Sequence, residues 1–124
     1  MKKYRKEKIE KLLKRELSNI IFKDLKDPRI KNMVNINEVE LTADLKIAKI
    51  YVSIFGDAEE SERKKEFEVL SSASNFLKFK LSKNLKLQYT PQLQLIYDTS
   101  VERGVRIIEK LERLKNEFNR WKGF

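Results

Sequence analysis

The chain contains no cysteine and no histidine. The first absence removes disulfides, thiolate nucleophiles and zinc–thiolate sites, and the second removes the commonest general base and metal ligand. Most catalytic designs are excluded on these grounds. No apolar run approaches the ~18 residues that a membrane span requires. The charged start leads into no uninterrupted apolar region, so no signal peptide is expected and a cytoplasmic location is.

A third absence is local. In a chain that is 38% charged, residues 69–97 contain no Asp or Glu, yet Lys78, Lys80, Lys83 and Lys86 fall close together within them. A cationic stretch with nothing to neutralise it suits a polyanion. The whole chain leans the same way: 28 Lys and Arg against 19 Asp and Glu leave a net charge of +9, which points to nucleic acid or an anionic membrane surface. Its 124 residues are enough for one domain, 1–124, with a single core and no need of staples.

Taken in order, Ile9, Leu12, Leu13, Leu17, Ile20 and Ile21 form an apolar stripe at helical spacing, which predicts a helix from Lys3 to about Asp24. Its opposite side carries Tyr4, Lys8, Lys11 and Arg15, with Phe22 in line and Glu7, Glu10 and Glu16 diluting the charge. This side reads either as a solvated face or as a phosphate-binding stripe. Asp27-Pro28 ends the helix, because proline drives its predecessor out of helical geometry. Arg29, Lys31 and Asn32 then lie on a loop.

Between Met33 and Leu41 the apolar parity changes, from Val34 and Ile36 to Val39 and Leu41. A strand bulged near Asn37 and Glu38 keeps both pairs facing the core. A second strand, 47–55, alternates cleanly through Ala48, Ile50, Val52 and Ile54, and the two should form a hairpin. Asp57, with Glu60 three residues on, reads as the N-cap of the next helix. Residues 58–66 are nearly all charged, so its first turns are expected to stand in water.

Helical spacing continues through Phe67, Leu70, Ser74, Leu77 and Leu81, but Ser71-Ser72-Ala73-Ser74-Asn75 is a run of small residues that compete for backbone hydrogen bonds. Two short helices joined at a bend near 73–75 are expected, with Asn75 turning the chain through the left-handed region; the plainer reading is one unbroken helix. A helix starting at the bend would aim its N–H groups and positive dipole end at a phosphate. Phe79 lies away from Leu77 and Leu81, beside Asn75, Ser82 and Lys83. It would either stack on an unpaired base or fold onto a neighbouring element. Ser74, Asn75, Phe79, Lys78, Lys80, Lys83 and Lys86 are thus the candidate nucleic-acid contacts; Lys3, Arg5, Lys8, Lys11, Arg15 and Arg29, with Lys2, are a secondary set.

Leu93, Leu95 and Tyr97 predict a third strand, with Pro91 at its start or on an edge. Thr99-Ser100-Val101-Glu102 is a capping-box pattern opening a last helix at about 101–122, which Gly104 weakens by up to ~1 kcal/mol relative to Ala. Val105, Ile107, Ile108, Leu111, Leu114, Phe118 and Trp121 are its apolar positions, expected to pack across the sheet or the first helix, with fraying near Gly123 and Phe124.

The order helix, strand, strand, bent helical pair, strand resembles a type II KH domain of the α+β class, a three-stranded sheet with helices on one face. Four motifs narrow the likeness: Leu25-Lys26-Asp27-Pro28-Arg29-Ile30; Asp44-Leu45 ahead of Ala48-Lys49-Ile50-Tyr51-Val52-Ser53; Ala73-Ser74-Asn75 followed by Phe76-Leu77; and Pro91-Gln92-Leu93 ahead of Asp98-Thr99-Ser100. Together they resemble the ribosome-binding factor A family over nearly the whole chain. That resemblance implies a protein that attaches to the free small (30S) ribosomal subunit and its rRNA, assists late maturation and 5′-end processing of the rRNA, notably in the cold, and is not a nuclease. Ordinary KH domains clamp single strands with a Gly-x-x-Gly loop; the family has an Ala-x-Gly bend there, matched here by Ala73 and Ser74 but departing at Asn75.

The resemblance implies no enzyme activity, no cofactor, no small-molecule substrate and no membrane partner, and a monomer is expected. Three rivals stand beside it. One is a general KH-like module without a ribosomal role, and a second is a membrane-surface protein using the first helix. The third is a Mg²⁺-dependent nuclease built on Glu38, Glu40 and Asp98.

Overall fold

The apolar stripe of the N-terminal segment forms helix α1, Lys2–Lys23, which turns Leu13, Leu17 and Ile20 fully into the core. The computed structural model describes the backbone of residues 2–122 and the side chains of residues 5–100 and 108–118. The expectations placed on the side chains of Lys2, Lys3, Tyr4, Glu102, Val105, Ile107 and Trp121, and on Gly123 and Phe124, fall outside the described residues. After α1 the Asp27-Pro28 turn closes with a 3.0 Å bond from Ile30 N–H to the Asp27 carbonyl. Proline at its second position has the φ such a turn needs.

Strand β1, Met33–Leu41, pairs antiparallel with β2, Ile47–Phe55. The register slips between Ile36 and Glu38, so the bulge falls at Asn37, where the change of parity places it. Ile36, Val39 and Leu41 consequently all face inward, opposite Ala48, Ile50, Val52 and Ile54. Strand β3, Gln92–Tyr97, adds to the other side of β2 in parallel, giving the order β1-β2-β3. Pro91 sits just before it, where no ladder donor is required, and Gln92 N–H starts the pairing on the Lys46 carbonyl at 2.8 Å.

The parallel crossover is made by α2, Glu60–Ser72, and α3, Ser74–Leu85. With α1 they cover one face of the sheet: α1 lies against β1 and α3, α2 against β2 and β3, and α3 against β3. Leu70, Leu77, Leu81 and Leu93 complete one contiguous cluster with the α1 and strand residues. Phe67 meets Tyr97 edge to face at 5.4 Å and 72°, fixing α2 over β3.

Several details depart from the sequence expectations. α2 begins at Glu60 with Glu59 as its N-cap, not Asp57, and no side chain caps it. Arg63 Nη1 reaches back to the carbonyls of Gly56 and Ala58 (3.3 and 3.0 Å), which holds those residues in a turn ahead of the helix. Glu66 is buried at 7% exposure instead of standing in water, because it lies four residues before Leu70 on the inward face.

The bend is real, but Asn75 does not make it. Ala73 is the single residue between the two helices, at φ −90° and ψ 10°, a conformation open to any L residue. Asn75 is already helical within α3, and the left-handed residues are Leu45 and Lys86. Helix α4, Ser100–Lys122, opens where the Asp98 carboxylate accepts Ser100 N–H at 2.9 Å. Its Ile108, Leu111, Leu114 and Phe118 are each more than half exposed. The helical face of the sheet is already covered by α1, α2 and α3.

Candidate nucleic-acid interface

Because α3 buries Leu77 and Leu81, its outward arc at 100° per residue carries Asn75, Phe79 and Lys83, all exposed. Phe79 is 62% exposed and does not fold onto a neighbouring element. Lys80 is half-buried on one shoulder of that arc, its Nζ 6.0 Å from the centre of the Phe76 ring, a loose cation–π contact. Lys86 follows the helix as its left-handed cap, with φ 51°, and is exposed. None of Lys80, Lys83 and Lys86 forms an ion pair with a described residue. The positive field read from the missing acids is therefore present at this surface.

Lys78 does not join it. The side chain lies on the far shoulder, half-buried, and donates from Nζ to Gln92 Oε1 at 3.1 Å, toward the start of β3. Ser74 is half-buried at the bend, where Ala73 N–H is given to Leu70 O and Leu77 N–H to Ala73 O, both at 3.0 Å. The second of these is the first turn-closing bond of α3 itself.

The secondary set divides in the same way. Lys8, Lys11 and Arg15 are exposed along α1, with Phe22 in line at 86% exposure. Two of the three acids expected to dilute this stripe are drawn elsewhere. Glu10 accepts Leu41 N–H at 2.7 Å, and Glu16 accepts from Asn84 at 3.0 Å, tying α1 to α3. The two helices pack against each other within the helical layer.

Arg29 is held to its own turn. Its Nε and Nη2 donate to the Asp27 carboxylate at 3.0 and 2.7 Å. Those side-chain bonds, followed by the Arg29 backbone N–H, bring the Asp27 carboxyl down to about 2, and the same pairing raises Arg29. Arg5 is exposed at the N-terminal end of α1, beside the 42–46 turn.

The carboxylates of the nuclease reading are not brought together. Asp98 accepts from Asn37 Nδ2 at 2.9 Å and from Ser100 N–H, while Asn37 also donates to Ser53 Oγ at 2.6 Å. The residue braces the bulge and the first turn of α4. Glu38 and Glu40 are exposed on β1, opposite Tyr51 and Lys49. Among the described residues no three acids gather as a metal site would need.

Two further residues carry weight that periodicity does not reveal. Glu66 anchors the loop before β1, accepting Lys31 N–H and Asn32 Nδ2 at 3.0 Å each. Tyr89, 82% exposed, stands in the α3–β3 loop. Its one sequence signal is an aromatic residue set between Gln88 and Thr90 just ahead of a proline.

Topology and surface together define an α+β protein of type II KH-like architecture with a cationic helical layer. The chain belongs to the ribosome-binding factor A family, whose model matches residues 5–111. It is 40% identical over 114 residues to ribosome-binding factor A of Caldanaerobacter subterraneus subsp. tengcongensis, covering 92% of each chain. It is 43% identical over 120 residues to that of Clostridium botulinum, covering 96% of this chain and 98% of the relative.

Among solved structures it resembles the crystal structure of ribosome-binding factor A from Thermus thermophilus (TM-score 0.63, 28% identity, 74% of this chain and 93% of that one). A Thermus thermophilus ribosome-binding factor A model fitted into the cryo-EM map of a 30S complex is also similar (TM-score 0.57, 26% identity, 72% and 90% covered).

Proposed function

We propose that this chain is a ribosome assembly factor: it binds the free small ribosomal subunit and its rRNA and assists late maturation, including processing of the rRNA 5′ end. It acts in the cytoplasm as a monomer and works by binding alone, making and breaking no covalent bonds. The observation that carries this reading is the acid-free outward arc of α3, where Phe79, Lys83 and Lys86 stand exposed and Lys80 lies alongside. The α1 stripe of Lys8, Lys11 and Arg15 adds exposed cations on the helix packed against α3. The family supports the partner, since a relative has been fitted into a 30S complex.

Physically, lysines placed against phosphates release condensed counterions, so affinity depends steeply on salt, while an exposed aromatic ring offers a stacking surface to an unpaired base. The deciding experiment is sedimentation of the purified protein with free small subunits, free large subunits and assembled ribosomes. Enrichment on free small subunits alone is expected. Equal recovery with large subunits would leave only a general nucleic-acid binder.

A further inference from the structure

A groove of about 730 Å³ opens where β2 and β3 begin, between the 42–46 turn, the N-terminal end of α1 and the α3–β3 loop. Arg5, Lys46 and Lys78 bring three cations to its walls, and Tyr89 stands at its rim at 82% exposure. Its one acid, Asp44, is already engaged: the carboxylate accepts from Thr42 Oγ1 at 2.6 Å and Lys46 N–H at 3.1 Å. The 3.1 Å bond from Lys78 Nζ to Gln92 Oε1 sets that ammonium at the groove while leaving it a full charge, since its partner is a neutral amide.

We propose that this groove is a second RNA subsite, which takes one or two unpaired nucleotides of a single strand: a base stacks on Tyr89, and the flanking phosphates lie against Arg5, Lys46 and Lys78. The occupant is argued from charge and shape. Three cations facing one satisfied carboxylate favour an anion, and an exposed ring beside them favours an anion that carries a flat apolar face. The volume lies within the range of small-molecule pockets and exceeds what a lone phosphate fills. Paired bases cannot offer a free face to Tyr89, so the site discriminates single strands from duplex.

The subsite rests on the RNA-binding reading above but is tested apart from it. Lys78 thereby serves the groove and not the outward arc of α3, so the protein grips RNA at two places on α3 with different chemistry.

The test uses the full chain, Tyr89→Ser and Lys46→Glu, with a fluorescein-labelled oligouridine decamer and a blunt RNA duplex read by anisotropy over a salt series. Circular dichroism checks that each variant is folded. Tyr89→Ser is expected to weaken decamer binding roughly 5- to 150-fold with the salt slope unchanged and duplex binding intact. Lys46→Glu is expected to weaken decamer binding and flatten the slope of log K against log salt by about 0.7.

Wild-type decamer affinity in both groove variants would overturn the subsite. So would a decamer that fails to bind the wild type, or equal loss of duplex binding in Tyr89→Ser. Sedimentation of the wild type with small subunits is the separate arm: if it fails while the groove variants still lose the decamer, the ribosomal reading falls and the subsite stands.

Discussion

Asn32 and Glu66, 34 residues apart in the chain, are joined by a 3.0 Å hydrogen bond from the Asn32 side-chain amide to the buried Glu66 carboxylate. The other oxygen of that carboxylate accepts Lys31 N–H. On the far side of Asn32 lies Gly56, where a Cβ would overlap the Asn32 side chain. One carboxylate on α2 therefore fixes the entry to β1. Glu66→Ala leaves two donors without acceptors and is expected to cost about 2–4 kcal/mol, read as a lower urea midpoint. Faster amide exchange at Lys31 should accompany the loss; an unchanged midpoint would contradict the anchoring role.

The bulge at Asn37 is held by side chains as well as by pattern. Asn37 donates to both Ser53 and Asp98, and Ser53 Oγ donates to the Asp98 carbonyl at 3.0 Å. Asn37→Ala and Ser53→Ala are each expected to cost roughly 1–2 kcal/mol. Since they share a network, the double mutant should depart from additivity by more than ~0.5 kcal/mol. Thermal or denaturant unfolding of the four proteins completes the cycle, and simple additivity would dissolve the network.

Charge reversal on the outward arc should separate binding from folding. Lys80→Glu with Lys83→Glu is expected to leave the circular dichroism spectrum and melting temperature near wild type while abolishing recovery with small subunits. For about five phosphate contacts on single-stranded RNA, the wild-type slope of log K against log salt is expected near −3.5. A flat salt response, or full recovery of the double variant, would remove this surface from the binding mode.

Asn75 lies in the first turn of α3 in helical geometry. Glycine there gains nothing from left-handed freedom and loses helix propensity. Asn75→Gly is accordingly expected to lower stability by roughly 0.5 kcal/mol, measured by urea unfolding. A gain in stability would place the turn of the chain at Asn75 after all.

The Asp27–Arg29 pair predicts a pH response of known sign. The folded Asp27 carboxyl titrates near 2, below its unfolded value of ~3.9. Its contribution is thus present above about pH 4 and is lost as pH falls toward 2. A carbon-detected NMR titration should show the low midpoint in the wild type and its return toward ~3.9 in Arg29→Ala. An ordinary midpoint in the wild type would mean that the pair is not formed.

Periodicity made most of the architecture legible. The clean alternation of 47–55 and the parity change before Val39 encode the hairpin and its bulge locally, and the small-residue run encodes the bend. What sequence could not disclose depends on partners far along the chain. Glu66 reads as one more solvated charge until Lys31 and Asn32 are brought against it. Helical spacing sets Lys78 to the flank of the face shared by Lys80 and Lys83, but its bond to Gln92 becomes visible only once β3 is brought beside α3.

The left-handed turn expected at Asn75 was unnecessary because Ala73 bends the chain with ordinary dihedrals. The α2 start moved because Arg63 reaches backward, which no local pattern announces. Within the candidate surface, the stretch without acids coincides with α3 and the loop after it, and three of its four lysines lie on or beside the outward arc.

The parallel pairing of β2 with β3 has a bearing on synthesis. β1 is a short turn away from β2 and zips onto it locally, whereas β3 must wait until both crossover helices have been made. Until Gln92 emerges, one flank of the central strand offers bare amide and carbonyl groups to any extended segment nearby. The newborn chain passes through a sticky interval that only its own later residues can close.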